Sequence, residues 1–400
     1  MSGENTNWAE RSNKVFIGTY ARYPAVMVKG EGCTLTDAEG REYLDCLAGI
    51  AVCSLGHCHP AVTEAICKQA RELVHVSNLY YTLPQTELGE LLTAHSFADR
   101  IFLANSGAEA NEAAFKLARI CAGPDRYGII SLAGSFHGRT LATVAATGQT
   151  KFHKGFEPMP EGFSHAPFGN LNVLEAMITD QTCAILCEPL QGEGGVRPLD
   201  VEYLKGLQGL CRKHDLLLIF DEIQTGIGRT GTLFAYEQLG VVPDIMTVAK
   251  ALGNGLPIGA MLTRKNIAAA FVPGTHASTF GGNPVVAAAA VATLKIMLED
   301  GFLPEVQAKG EYLQAGLEDL AARFPALAEG ARGMGLIRGL VLTEKGVAQG
   351  GDMVKKMFDR GVLINFAGNA ALRFLPPLII SRDEIDKLLT ALAEVLAEYE

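Results

Sequence analysis

"DVEYLKGLQGLCRKHDLLLIFDE" (residues 200–222) changes period halfway along. Residues 200–214 read as an amphipathic helix, and residues 216–220 are apolar throughout before the run ends on Asp221 and Glu222. A strand with no polar alternation is buried on both faces, and a helix leading straight into it is the unit of a parallel sheet. The same texture recurs on either side. "RIFLANS" (100–106), "YGIISLAGS" (127–135), "CAILCEPL" (183–190) and "DIMTVAK" (244–250) are short apolar strands that end in small or polar residues. "GAEANEAAFKLARICAG" (107–123) is another helix between them. The alternation predicts an α/β fold with a mostly parallel sheet covered on both sides.

Before this region, "MVKGEGCTLTDAEGREYLDCLAG" (27–49) reads as short strands, with a hairpin turn at "DAEG". After it, the long helix "NPVVAAAAVATLKIMLEDG" (283–301) leads to a second helix. Strands follow at "GLIRGLVL" (335–342), "VLINFA" (362–367) and "ALRFLPPL" (371–378), and a final amphipathic helix spans 382–399. The expected division is residues 59–284 as a large domain, with 1–58 and 285–400 forming a small α+β domain.

Composition narrows the function. The chain has 400 residues, a net charge of −10 and no basic block, which argues against a nucleic-acid partner. Its first residues show no apolar signal segment, and its longest uncharged apolar run is about ten residues, half of a membrane span. Nine cysteines without framework spacing suit free thiols in a cytoplasmic protein. "CSLGHCHP" (53–60) crowds Cys53, His57, Cys58 and His59 together, but zinc sites use two separated pairs, so no metal is expected there.

Parallel-sheet sites collect at the carboxyl ends of strands. Ser106, Phe136, His137, Glu188, Asp221 and Lys250 all fall at such ends. In "NSGAEANE", Ser106 and Glu109 have capping-box spacing, and Gly107 and Ala108 leave the first N–H groups of the helix open to a phosphate. The acidic end of "LLLIFDE" resembles the metal-holding strand of a nucleotide hydrolase, but no G-x-x-x-x-G-K-[ST] loop accompanies it. Asp221 is then free to pair with a buried cation, with Gln224 close by. Lys250 stands in "TVAKALGNG" with no counter-ion nearby. An isolated lysine usually packs its stem and keeps its head in water. With an acid on the neighbouring strand and a phosphate-shaped helix start, a desolvated, nucleophilic amine is the better reading. Pyridoxal phosphate would use all three: Lys250 on its aldehyde, Asp221 on its ring nitrogen and the turn at Ser106 on its phosphate. Phe136 offers a flat face for the ring.

The chain resembles the class III (ω-type) aminotransferases. "NSGAEANE", "SFHGRT", "EPLQGEGG", "FDEIQTGIGRTG", "AKALGNGLPIGA" and "HASTFGGNP" match that family in order, and residues 18–60 are similar to its acetylornithine branch. The resemblance implies the aspartate-aminotransferase type of fold (fold type I) and a homodimer with active sites at the subunit interface. It makes Lys250 the cofactor-bearing lysine and Asp221 the partner of the ring nitrogen. His137 and Glu188 join the cofactor site, Gln224 lies near the phenolic oxygen, and Ser106, Gly107 and Ala108 hold the phosphate. Thr279 reaches the phosphate of the neighbouring subunit. Arg139 anchors a distant carboxylate, Arg373 anchors the one beside the reacting carbon, Glu193 pairs with Arg373 when no such carboxylate is present, and Ser278 touches substrate. The implied substrates are an ω-amine and 2-oxoglutarate. The apolar segment "AGIAV" (48–52) offers no partner for a second charged amine, which favours N-acetylornithine. Succinylornithine, ornithine and 4-aminobutyrate are alternatives, as is a same-fold aminomutase or decarboxylase.

Overall fold

Apolar residues in the central strands sort by alternation into two separate cores. Leu218 and Phe220 enter one cluster while Ile219 enters the other, and Ile185 and Cys187 separate from Ala184 and Leu186 in the same way. In the computed structural model, which describes residues 3–400, these strands form a seven-stranded sheet with both faces covered. Its order is Arg100–Ala104, Gly259–Thr263, Ile245–Val248, Leu217–Asp221, Thr182–Cys187, Gly128–Leu132 and Phe163–Ala166. Every neighbouring pair is parallel except the two made by Gly259–Thr263, which runs against both of its neighbours.

Two of these strands depart from the sequence expectation. Gly259–Thr263 lies in the small-residue stretch after Lys250, and its reversal returns the chain beside the strand that delivers the lysine. Phe163–Ala166, "FSHA", is an edge strand too polar to be read as apolar. Helix Gly107–Ala122 packs on the sheet through Ala110, Ala113, Ala114 and Ala118, all fully buried, whose small side chains permit close approach.

The N-terminal hairpin forms as expected. Asp37 Oδ1 accepts the Glu39 and Arg41 N–H groups, and Gly40 takes the left-handed φ of 81° that closes the turn. Strands Met27–Glu31, Thr34–Asp37 and Glu42–Asp45 are joined by Val362–Leu363 from far along the chain. "VLINFA" is therefore not one strand. Its second half, Asn365–Ala367, enters another sheet with Ala328–Met334, Ile337–Leu342 and Ala371–Phe374. Ala328–Met334, "AEGARGM", has too much glycine and charge to look like a strand and is held by its hairpin partner. Helix Pro284–Met297 packs on helices Pro60–Glu72 and Leu83–Ala94.

In the cysteine–histidine cluster, His57 Nε2 pairs with Asp45 Oδ2 at 2.7 Å. No group of three or more metal-ligating side chains is arranged to hold an ion among the described residues. All nine cysteines are free, and no described helix is long and apolar enough to cross a membrane.

Candidate active site

Ser106, Phe136, His137, Glu188, Asp221 and Lys250 line a single cavity of about 430 Å³ at the carboxyl edge of the large sheet. Gly107, Ala108, Arg139, Glu193 and Gln224 line it too. Ser106 and Lys250, 144 positions apart in sequence, therefore share one space, which Val52 and Ile258 also line.

Asp221 ends its strand and is almost fully buried. Its Oδ2 accepts His137 Nδ1 at 2.7 Å and Asn111 Nδ2 at 2.8 Å, while Oδ1 accepts the Ile223 N–H at 3.1 Å. Asn111 was not anticipated. The signal was available, because position 111 falls on the same helical stripe as the buried Ala114, Phe115 and Ala118.

Lys250 follows strand Ile245–Val248, whose Thr247 lies in register with Asp221 on the next strand. Burial pushes its amine below the usual lysine range, and the positive charge of Arg373 adds to the effect. The carboxylates of Glu193, Asp221 and Glu188 oppose it without overcoming it. Lys250 also holds a left-handed backbone, φ 47°, a conformation that side chains with a Cβ avoid unless the surroundings impose it. The loop beyond is pinned by Asn254, which accepts the Leu55 N–H at 2.8 Å and donates to Gly56 O at 3.3 Å.

At the opposite wall Ser106 caps helix Gly107–Ala122, its Oγ accepting the Glu109 N–H at 3.2 Å. The reciprocal half of the capping box is displaced by one residue. Glu109 Oε2 accepts from Asn105 N and Asn105 Nδ2, each at 2.8 Å, rather than from Ser106 N–H. The first N–H groups of a helix have no partner within it, so those of Gly107 and Ala108 remain for an anion, aided by the helix dipole. A Cβ on Gly107 would sit 2.7 Å from Ile223 Cδ1, so the turn packs closely on the side chain that follows Asp221 and a larger residue would have to displace it.

Arg373 is fully buried on strand Ala371–Phe374, in the other sheet. Its Nη1 meets Glu193 Oε1 at 2.6 Å and Gln224 Oε1 at 3.0 Å, and its Nε meets Asn365 Oδ1 at 3.1 Å. Nη2 has no partner among the described residues. Burial alone would raise the Glu193 carboxyl, but the charge and hydrogen bond of Arg373 outweigh it and hold the carboxyl low. Glu188 behaves oppositely. Burial and the nearby Asp221 push its carboxyl well above the usual range, although it accepts the Phe136 N–H at 3.0 Å. Arg139 is exposed, its guanidinium 4.2 Å from the Phe152 ring centroid and 5.5 Å from that of Phe136.

Two expected residues lie outside this space. Ser278 does not line the cavity but touches its wall, since its Oγ accepts Asn105 Nδ2 at 3.2 Å. Thr279 is exposed and reaches none of the cavity residues of its own chain.

Taken together, the cavity brings a buried amine, the open start of a helix and a buried carboxylate into one space, with the Arg373 guanidinium bound to the lining Glu193. Comparison with known proteins gives the family. The class-III aminotransferase family model matches residues 18–396. An acetylornithine aminotransferase of Caldanaerobacter subterraneus subsp. tengcongensis is 50% identical over 389 residues, covering 96% of this chain and 98% of the relative. One from Methanocaldococcus jannaschii is 47% identical, covering 100% of this chain and 99% of the relative. Among solved structures, the ornithine aminotransferase of Toxoplasma gondii ME49 superimposes with a TM-score of 0.94 at 32% identity, covering 99% and 96% of the two chains. The N-acetylornithine aminotransferase of Stenotrophomonas maltophilia K279a does so with 0.83 at 38% identity, covering 98% of each. With the match running nearly end to end, this chain belongs to the class-III aminotransferases.

Proposed function

We propose that the enzyme moves the terminal amine of N2-acetyl-L-ornithine to 2-oxoglutarate, forming N-acetylglutamate 5-semialdehyde and L-glutamate, a step of arginine biosynthesis. The observation that supports it most is the 2.6 Å contact of Glu193 with the buried Arg373 at the cavity. A guanidinium held by a side-chain carboxylate can exchange that partner for the carboxylate of a keto acid, as an enzyme with two dissimilar substrates requires.

Transaminases of this family work with pyridoxal 5'-phosphate, and the residues fit it: an amine that burial pushes below the usual lysine range, a helix start packed closely on Ile223, and a buried carboxylate. When bound, the cofactor supplies an aldehyde and a protonated ring that accepts electrons from the substrate carbon. Lys250 Nζ would carry the cofactor and move the proton of that carbon. Asp221 would hold the ring nitrogen protonated, a charge stabilisation that matters most as negative charge develops. Gly107 and Ala108 N–H groups and Ser106 would hold the phosphate, Phe136 and His137 the ring and Gln224 its phenolic oxygen, with Glu188 completing the site. Arg139, on its aromatic support, takes the distant carboxylate of the donor. During that half-reaction Glu193 keeps Arg373 paired, and in the other half-reaction Arg373 takes the 2-oxoglutarate carboxylate beside the reacting carbon. The apolar segment 48–52 near the cavity favours an acylated amine over a second ammonium.

Free ornithine is the second reading, favoured by the close superposition on the Toxoplasma enzyme. Glutamate release measured across N-acetylornithine, succinylornithine, ornithine and 4-aminobutyrate decides between them. N-acetylornithine is expected to give the highest kcat/KM, and a higher value with ornithine overturns the assignment. Lys250→Ala is expected to abolish turnover, and borohydride reduction followed by peptide mapping is expected to place the cofactor on Lys250.

The proposed assembly is a homodimer. Tyr81, Leu83, Leu79 and Ile17 are 81–100% exposed, more apolar surface than a lone chain leaves to water. Thr279, exposed beside Phe280, then serves the partner's phosphate site, as Ser278 serves substrate through Asn105. A light-scattering mass of one chain would refute this. The division into residues 1–58 with 285–400 around a 59–284 core, and a cytoplasmic location suited to nine free thiols, belong to the same proposal.

A further inference from the structure

A carboxylate accepts about four hydrogen bonds, and the protein supplies Asp221 with three. Both positions on Oδ2 are filled, by His137 Nδ1 and Asn111 Nδ2, and one on Oδ1 is filled by the Ile223 N–H. One acceptor position on Oδ1 is left for whatever enters the cavity. Asn111 therefore decides which oxygen is offered.

Asn111 is itself fixed. Its second N–H donates to His137 O at 2.8 Å, and its Oδ1 accepts Thr247 Oγ1 at 2.8 Å. Turning the amide over would set its oxygen against Asp221 Oδ2 and His137 O, two acceptors facing an acceptor. The side chain is fully buried, so water cannot relieve that clash. Its three partners lie on three different parts of the site: His137 in the loop after strand Gly128–Leu132, Asp221 at the end of one strand and Thr247 on the strand leading to Lys250. Asn111 itself stands on the helix whose start lines the cavity.

We infer that Asn111 is a positioning residue for the reaction, holding Asp221 so that Oδ1 alone meets the cofactor's ring nitrogen, and that Thr247 orients Asn111 for this task. The inference rests on the role proposed above for Asp221. The titratable groups facing this centre are His137, Glu188, Lys250 and, beyond them, the Glu193–Arg373 pair. Replacing a neutral amide alters none of these charges, so a changed titration reports the lost donor.

The test uses purified holoenzymes. Asn111→Leu keeps the size and removes the donor. It is expected to lower kcat about 10- to 100-fold, the worth of a hydrogen bond to a charged group, with KM for both substrates within about threefold. The pH at which the bound cofactor's absorbance titrates is expected to move up by about one unit, because a carboxylate stripped of a donor favours the protonated form of a cation it meets. Thr247→Val should act in the same direction with a smaller loss, and Thr247→Ser, which keeps the hydroxyl, should restore kcat to within about twofold. The Val and Ser pair carries the test if Asn111→Leu does not fold. A lower melting temperature with kcat and the titration unchanged in Asn111→Leu and Thr247→Val would make Asn111 a purely structural residue and overturn the inference. Asp221→Asn is run beside them: full activity there would instead refute the role of Asp221.

Discussion

Arg373 and Arg229 are both fully buried, yet their surroundings have little in common. Arg373 is held by Glu193, a carboxylate that lines the cavity. Arg229, in the "GIGRTG" loop, has no carboxylate at all. Its Nη1 donates to Leu336 O at 3.0 Å and Pro376 O at 2.5 Å, and its Nη2 to Ser54 Oγ at 3.0 Å. Leu336 N–H returns a bond to Arg229 O at 3.0 Å. Burial works against the Arg229 charge, and only the distant Asp45 favours it. Main-chain carbonyls cannot leave, whereas a side-chain carboxylate can. One arginine ties chain segments together, and the other, on the function proposed above, is the cation that exchanges its partner.

The contrast is broken most directly at the tie. Arg229→Met strands two carbonyls and a hydroxyl, each worth about 1–3 kcal/mol when buried without a donor. A large loss of stability in urea unfolding is therefore expected, with substrate KM of the folded enzyme unchanged. A raised KM at unaltered stability would place Arg229 in the substrate site instead. Glu193→Ala attacks the exchangeable partner. It is expected to reduce kcat/KM for the ω-amine donor about tenfold more than for glutamate, because only the donor half-reaction leaves Arg373 unpaired. Equal losses on both would end the exchange reading.

His57 lies between the two extremes, half-buried and bound to the buried Asp45. The hydrogen bond that His57 Nε2–H donates to Asp45 is the main cause that raises it to about 10, with Cys53 assisting. A histidine raised on folding contributes its stabilisation fully below its unfolded value near 6.5 and loses it as pH climbs towards 10. The thermal midpoint is expected to fall across that window, and Asp45→Asn to flatten the slope. This is the smallest of the effects, because the imidazole keeps access to solvent.

Why some of this was legible and some was not follows from the range of the interactions. Strands 217–221 and 245–248 announce themselves because every residue in them but Leu217 is buried, and the residues at their tips were readable once the sheet was. Lys250 stood out as a charge with no local partner. The reversed strand Gly259–Thr263 did not, since nothing in "GAMLT" specifies direction. Ala328–Met334 and Val362–Leu363 are strands only because a partner pairs with them, and the 318 positions that separate Leu44 from Val362 hide the second pairing from local reading. Asn111 and Arg229 share a deeper reason. Each is a polar residue whose partners come from other elements, so its purpose exists only in three dimensions. For Asn111 the misplaced polarity on an apolar helix stripe was the one local clue.

The chain places the reacting groups and the exchangeable arginine on different sheets. Asp221 and Lys250 belong to adjacent strands of the seven-stranded sheet, and the turn bearing Lys250 is anchored at both ends by neighbouring strands of that sheet. Arg373 stands on the four-stranded sheet and comes to the cavity from across the junction. With the roles proposed above, bond-making and acceptor choice would sit on separate frameworks. Substitutions in the sheet of Arg373 would then retune which keto acids are admitted without disturbing the spacing of acid and amine.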